Sequence, residues 1–471
     1  MEASRWAVEE FGQAEFGDAR LQRRIFDLAA TAATRPAARI TQLYESTAQR
    51  RGAYRALNHP KVTHQRLALA AVDAMLSRAA KHKIVFIPID KSDFEHTDTK
   101  KEAGTGPIKK RRYKKRGFMM NNAIALNPQG IALGMADQRF WSRKETKSKK
   151  HHHLRATEDK ETQAWMDSLE SISLTFQKAT TRPWVLIDAE GDAWPLLKKV
   201  VDDKMLATIR VARNRHLTAI DEDGKQRWLR DQLAEQPVAM HYQLAVRGRP
   251  KRRARLATMA VRFTKVELKL TPRGSSRSFA VKLTCVWARE VSEVPSGEKP
   301  LDWQLLTTAR VRSATDACYI LYTYSFRWRV EEFHRGWKSG GTQLQTSQLR
   351  SEDALLNLAV ILASVAMRAM ALRDESRANP QQVATVALSE VELDALYVLW
   401  KKRKRRRKEM PTLQQAVEWI ARLGGYTGKS SGGPPGIQVI NRGLSRLEVG
   451  VQMLNTLSQP TEKVEKERSD Q

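Results

Sequence analysis

The apolar positions of the first eighty residues recur every three or four places. Leu21, Ile25 and Leu28 form one such stripe behind Asp18, a residue type suited to a helix N-cap. Arg20, Arg23 and Arg24 fall largely off the stripe. A second helix is expected over 46–57, stopping near Asn58-His59-Pro60, and a third over 63–80. At residue 83 the period changes. The run 83–90, Lys-Ile-Val-Phe-Ile-Pro-Ile-Asp, reads as a buried strand ending at Asp90. Residues 121–127 and 130–142 read as two more strands, joined at Pro128-Gln129-Gly130. A helix over 161–176 leads to the apolar strand Trp184-Val-Leu-Ile-Asp188, which also ends in aspartate. A helix over 192–202 and a strand over 205–212 follow.

From 215 to 300 short alternating runs separated by Gly and Pro turns take over, the pattern of a mostly β insertion. A strand from Asp302 and a helix from about residue 314 lead into the segment 324–338. Beyond residue 340 the pattern is helical again, over 353–373 and 412–423. Polar connections break the series. Residues 100–117 hold nine Lys or Arg and one Glu, too charged to pack, and read either as a solvated tip or as a DNA contact. Residues 143–160 include His151, His152 and His153, which cannot converge on one metal without an unusual turn and read as solvated. Residues 401–408 are an unbroken run of Lys and Arg that reads as a linker, and the last ten or so residues read as disordered.

Composition narrows the partner. The chain has 471 residues, 41% of them hydrophobic, enough for several domains with sizeable cores. Its formal net charge of +30 calls for a polyanion, nucleic acid before a membrane, since no uninterrupted apolar run reaches the roughly 18 residues of a membrane span. Cys285 and Cys318 form no CxxC or zinc spacing, and the N-terminus lacks a hydrophobic signal core. These features place the protein in a reducing cytoplasm, at the bacterial nucleoid.

Charge then turns up where a buried helix is expected. Tyr324, Arg327, Glu331 and Lys338 follow the spacing Y-x2-R-x3-E-x6-K, interleaved with Trp328, Phe333 and Trp337. On a continuous helix the four fall within an arc of roughly 60°. A carboxylate there can hold a divalent cation, while Arg and Lys can hold phosphates. Glu and Arg four apart also simply pair on solvated helices, but the aromatic neighbours argue for burial, where charge needs a partner or a task. Asp90 and Asp188, each closing an apolar strand, supply two more carboxylates, with Asp93 and Asp192 close enough in sequence to be confused with them.

With these residues in place the chain resembles the bacterial cut-and-paste DDE transposases of the Y-R-E-K group, the insertion-sequence-four family, and is most similar to its Tn-five-like members. The resemblance covers nearly the whole chain: Trp6 with Phe16-Gly17-Asp18, Gly52-Ala-Tyr-Arg55, Asp90, Asp188-Ala-Glu-Gly-Asp192, Trp303 with Leu305-Leu306-Thr307, Arg327-Trp-Arg-Val-Glu-Glu-Phe-His334 and Ala421-Arg-Leu-Gly-Gly425. It implies an α/β fold with a ribonuclease-H-like catalytic core. The expected division is a helical DNA-end-binding domain over 1–76, a catalytic domain over 77–372 with its β insertion at about 213–300, and a helical dimerisation region over 373–471. Asp90, Asp188 and Glu331 match the catalytic triad, which would bind two Mg2+ ions, with Mn2+ able to substitute. Tyr324, Arg327 and Lys338 match residues that grip phosphates at the transposon end. Trp303 matches a residue that stacks on a flipped base, with core packing as its alternative. Arg24 and Arg55 stand where the family contacts end sequences, with a solvated face as theirs. The implied activity is nicking at inverted-repeat ends, a hairpin intermediate and 3′-hydroxyl strand transfer into target DNA by a homodimer. A structure-selective nuclease and a non-catalytic DNA-binding relative are the rival readings. One departure stands out: Ala189 follows Asp188 where the family often has Arg.

Overall fold

The computed structural model describes residues 2–96, 104–108, 115–143, 161–250, 252–272, 275–338, 340–401, 410–429 and 433–457. Most of the basic connection at 100–117, the three adjacent histidines, all but the first residue of the 401–408 run and the C-terminal tail lie outside these residues.

The chain opens with the helices α1 (Ala3–Phe11), α2 (Ala19–Thr34), α3 (Ile40–Leu43), α4 (Thr47–Leu57) and α5 (His64–Ala79). Their starts follow from local chemistry. The Asp18 carboxylate accepts from the backbone N–H of Arg20 at 2.8 Å and of Leu21 at 3.2 Å, and Ser46 and Thr63 cap α4 and α5 in the same way. Leu21, Ile25 and Leu28 are buried as their spacing requires, and Arg23 and Arg24 are exposed.

The middle of the chain builds a mixed sheet. Its strands are β1 (Ile84–Glu95), β2 (Gly106–Pro107), β3 (Arg116–Leu126), β4 (Ala132–Trp141), β5 (Arg182–Ile187), β6 (Leu206–Arg210), β7 (His216–Ile220), β8 (Gln226–Trp228), β9 (Met240–Val246), β10 (Arg255–Leu270), β11 (Phe279–Glu290) and β12 (Asp302–Thr307). β1, β5 and β6 run parallel, with the helices α6 (Thr162–Phe176) and α7 (Trp194–Asp202) on the crossovers. β3 lies antiparallel on the other side of β1, and β4 beyond it.

Three features differ from the pattern in the sequence. β1 does not stop at Asp90; it continues to Glu95, because β3 pairs with it as far as Glu95 opposite Gly117. The β insertion is not set apart from the core. β12 pairs with β6, and β11, β10 and β7 extend the same sheet, with the short helix α8 (Leu229–Ala234) between β8 and β9. The 324–338 segment is not one helix. α9 (Ala314–Ser325) ends in a tight 3-10 turn over Phe326–Trp328 before α10 (Arg329–Lys338) begins. Phe326 is buried there against Phe86 and the backbone of Gly130, where a Cβ would come within 2.9 Å of its ring. A turn of 3.0 residues displaces the angular positions calculated for a uniform helix.

The alternation of strand residues sorts the core into two faces. Phe86, Phe118, Met120, Trp184 and Leu186 join the larger apolar cluster with the N-terminal and later helices. Val85, Ile87, Ile89, Ala123 and Ile187 join the second, with α6 and α7. After α10 come α11 (Glu352–Ala378), α12 (Glu390–Lys401), α13 (Leu413–Leu423) and α14 (Ile437–Leu457). By length and composition α11 passes for a membrane span, a likeness hidden from a search for uninterrupted runs by Asn357 and Arg368, but 83% of its most apolar window is buried inside the protein. It is the central helix of the larger cluster. Asn357, fully buried on it, donates to the carbonyls of Leu57 at 2.9 Å and Val62 at 2.8 Å.

α13 and α14 cross where two glycines meet backbone: a Cβ on Gly443 would stand 1.8 Å from the carbonyl oxygen of Ile420. Gly443→Ala should therefore force the pair apart and cost about 1–3 kcal/mol. Chemical denaturation of the full chain checks this; an unchanged midpoint would show that the crossing gives way freely.

Candidate active site

The pairing of β1 with β5 sets the geometry. Ile89 is the register partner of Ile187, the last pair of the β1–β5 ladder, so the next residues, Asp90 and Asp188, leave it side by side. Both share the parity of Phe86, Trp184 and Leu186, and so face the side of the sheet on which α10 packs. β5 ends here, and the Asp188 carboxylate caps the following turn, accepting from the N–H of Glu190 at 2.9 Å. Asp90 remains paired with Asn122 on β3.

Glu331 arrives from the first turn of α10. Arg327, in the 3-10 turn, hydrogen-bonds Glu331 and holds its other Nη 3.8 Å from Asp90 Oδ1. That Nη1 is buried without a hydrogen-bond partner, so the guanidinium is wedged between the two carboxylates. Tyr324 donates its hydroxyl to the carbonyl of Ile187 at 3.2 Å, beside Asp188. Lys338, at the far end of α10, donates to Ser92 Oγ at 2.6 Å and the Asp93 carbonyl at 2.9 Å, both on β1. Beneath α10, Arg373 joins Glu332 at 2.8 Å and Asp374 at 2.8 Å, and Arg329 pairs with Asp374, fixing the helix to α11.

The electrostatics follow. Burial pushes the Asp90 carboxyl up to about 7; Arg327 opposes the shift, while Asp188, Glu331 and Glu190 add to it. Asp188 is raised as well, by burial first, against the N–H of Glu190 and the charge of Arg327. Burial also lifts the Tyr324 phenol. Among the described residues no group of three or more His, Cys, Asp or Glu side chains is gathered closely enough to hold a metal ion. The donors that face one another are nevertheless hard carboxylate oxygens with surplus negative charge, the chemistry that suits magnesium, and Arg327 is the cation that now offsets it.

The neighbouring carboxylates have separate tasks. Asp192 is buried and saturated by Arg215, whose Nε lies 3.0 Å away, and by the N–H of Ala212 at 2.9 Å. Asp93 contributes its backbone carbonyl to Lys338. Lys91, on the opposite face of β1 from Asp90, pairs with Glu161 and Glu190, each at 2.9 Å.

The remaining expected site residues lie elsewhere. Trp303 is on β12, in register with Ala288 and half-buried against the larger cluster, two strands beyond β5. Arg24 and Arg55 are exposed on α2 and α4, and the Arg24 guanidinium lies over Gly52, where a Cβ would come within 1.9 Å.

The residue that the sequence reading passed over is His334. It is buried on α10, with Nδ1 3.8 Å from Asp90 Oδ2 and Nε2 3.0 Å from Asn122 Nδ2. Burial, with Lys338 and Arg327 nearby, pushes its pKa down to about 3, so it is neutral and the pair with Asp90 is no salt bridge. Its position three after Glu331 was the available signal. Arg210 was passed over too; its charge acts on the Tyr324 phenol.

Because Asp90 sits at about 7, the folded chain keeps a proton there that the unfolded chain gives up near 3.8. The stability this contributes is present in full at low pH and is lost as pH rises toward 7. In metal-free buffer Asp90→Asn should lose less stability than the parent chain between about pH 4 and about pH 7. Equal slopes in denaturation experiments would show that Asp90 ionises freely.

Two comparisons bear on what this site belongs to. Residues 3–62 match the transposase DNA-binding family, and residues 364–457 match the Tn5 transposase dimerisation domain. The first span contains Arg24 and Arg55; the second begins within α11, the helix that anchors α10. The two matches, one on each side of the buried carboxylates, support a Tn5-like transposase.

Proposed function

We propose that this transposase moves DNA by a cut-and-paste route, with Asp90, Asp188 and Glu331 as its catalytic triad. The observation that carries the reading is the strand register that sets Asp90 beside Asp188, with Arg327 linking Asp90 to Glu331. The parallel strands β1, β5 and β6, flanked by antiparallel β3 and β4 and with helices on both faces, support a ribonuclease-H-like core.

Asp90, Asp188 and Glu331 would hold two magnesium ions, or manganese in their place, which would supply Lewis-acid charge at the phosphate and an activated water. The chain's own side chains grip and orient the strand. Arg327 offers a planar fork for a phosphate and Lys338 a point charge, and Tyr324 adds a hydroxyl donor. Arg24 and Arg55, with the other exposed arginines of α2 and α4, contact the inverted-repeat end, in keeping with the DNA-binding match. Trp303 offers an indole on which a flipped base can stack.

Hydrolysis of one phosphodiester at the element's end frees a 3′-hydroxyl. That hydroxyl attacks the opposite strand, forming a hairpin and releasing flanking DNA. A second hydrolysis reopens the hairpin, and the same 3′-hydroxyl then joins target DNA. A homodimer holds both ends, in keeping with the dimerisation match.

Asp188→Ala should abolish cleavage of end DNA in magnesium while leaving end binding largely intact; continued cutting would sink the triad. Trp303→Ala should slow hairpin formation and spare the first nick, whereas equal loss of both steps would assign it to folding. Joining of a 3′-hydroxyl end to plasmid DNA separates a transposase from a nuclease built on the same core.

A further inference from the structure

Four polar residues form a row across the sheet beside α10. Gln138 on β4 is the register partner of Asn122 on β3, Asn122 is the partner of Asp90 on β1, and Asp188 follows at the end of β5. Register partners project to the same face, so the four side chains stand next to one another. Asn122 is fully buried, and His334 descends onto the row from α10.

The hydrogen bonds along this row have a direction. Gln138 Nε2 donates to Asn122 Oδ1 at 2.9 Å, which turns the Asn122 amide nitrogen toward His334 Nε2 at 3.0 Å. An amide nitrogen can only donate, so Nε2 of the neutral imidazole must accept. Its single proton is then on Nδ1, the nitrogen that faces Asp90 Oδ2. Asp90 Oδ1 faces Arg327 instead. The two oxygens of one carboxylate are thus addressed by two different donors, one charged and one neutral.

We infer that His334 is a positioning residue for Asp90: the relay Gln138–Asn122–His334 fixes the imidazole as the Nδ1–H tautomer and uses that N–H to orient the Asp90 carboxylate. The inference rests on the triad reading above. At 3.8 Å the N–H stands beyond hydrogen-bond length and acts on the facing Asp90 oxygen as a nearby dipole. A neutral donor suits this place, because it steers the carboxylate without offsetting the negative charge that a cation needs. Partners that orient a ligating group in this way are worth about 10–100-fold in metal affinity.

The test uses the full chain bound to end DNA, with Mn2+ binding read by electron paramagnetic resonance and the Mg2+ requirement of nicking read beside it. His334→Asn keeps an amide nitrogen near the Nδ1 position; His334→Gln reaches only the Nε2 position. His334→Gln should weaken Mn2+ binding about 10–100-fold and raise the Mg2+ needed for half-maximal nicking in step, with the rate at saturating Mg2+ much less affected. His334→Asn should recover most of that loss. Gln138→Glu supplies a variant one residue removed from the imidazole, on β4, and its denaturation midpoint reports whether the fold accepts the charge. The carboxylate it introduces can only accept, so it turns the Asn122 amide round, moves the imidazole proton to Nε2 and leaves a lone pair facing Asp90. Mn2+ binding should weaken, although the added negative charge acting through space would tighten it; the sign separates the two. Parent-like Mn2+ affinity in His334→Gln, equal damage in His334→Asn and His334→Gln, or tighter binding in Gln138→Glu would each overturn the assignment. Asp188→Ala is the control for the underlying reading. If it keeps Mn2+, the triad falls and the role of His334 with it; if it loses Mn2+ while His334→Gln does not, only His334 falls.

Discussion

The structure turns on like charge held out of water. Parallel pairing of β1 with β5 leaves no choice about where Asp90 and Asp188 go: once Ile89 meets Ile187, two carboxylates stand abreast on a half-buried face. Glu331 adds a third negative group. Such an arrangement is tolerable only with compensation, and Arg327 provides it from a turn tightened into 3-10 form. The supports around the site follow from this need. Arg329, Glu332, Arg373 and Asp374 pin α10 to α11, so that Glu331 and Arg327 stay where the sheet places their partners.

Much of this was legible in the sequence because it is local. Asp18, Ser46, Thr63 and Thr412 announce helix starts through chemistry that acts over two or three residues, and each caps the helix that follows it. The apolar run before Asp188 names its strand as plainly. What escaped reading depends on partners far along the chain. Lys91-Ser92-Asp93 looks like the end of a strand, yet it stays in the sheet because Met119, Met120 and Asn121 pair with it. The 3-10 turn answers to Phe86 and Gly130, which no helical wheel contains. The sheet runs on through the insertion because β12 returns to pair with β6, a contact of residues nearly a hundred positions apart.

The candidate site divides in the same way. Asp90, Asp188, Glu331, Arg327 and Tyr324 are expected from spacing and family pattern, and the fold brings them to one face. Their closeness to Asp93 and Asp192 is settled only in three dimensions, where Arg215 claims Asp192. His334 was visible as a letter in the motif but not as a neighbour of Asp90. Its chemistry depends on Asn122, 212 positions away, and through it on Gln138.

The buried helix α11 has a consequence for how such a protein can change. Through Asn357 it holds the connection between α4 and α5, through Arg373 and Asp374 it holds the helix that bears Glu331, and its latter half already belongs to the dimerisation match. Pieces recognisable as separate modules in sequence therefore share one apolar interior. They are not interchangeable cassettes. A graft of a new N-terminal head would have to bring side chains shaped to this helix, so surface positions can change one at a time more cheaply than whole parts can be exchanged.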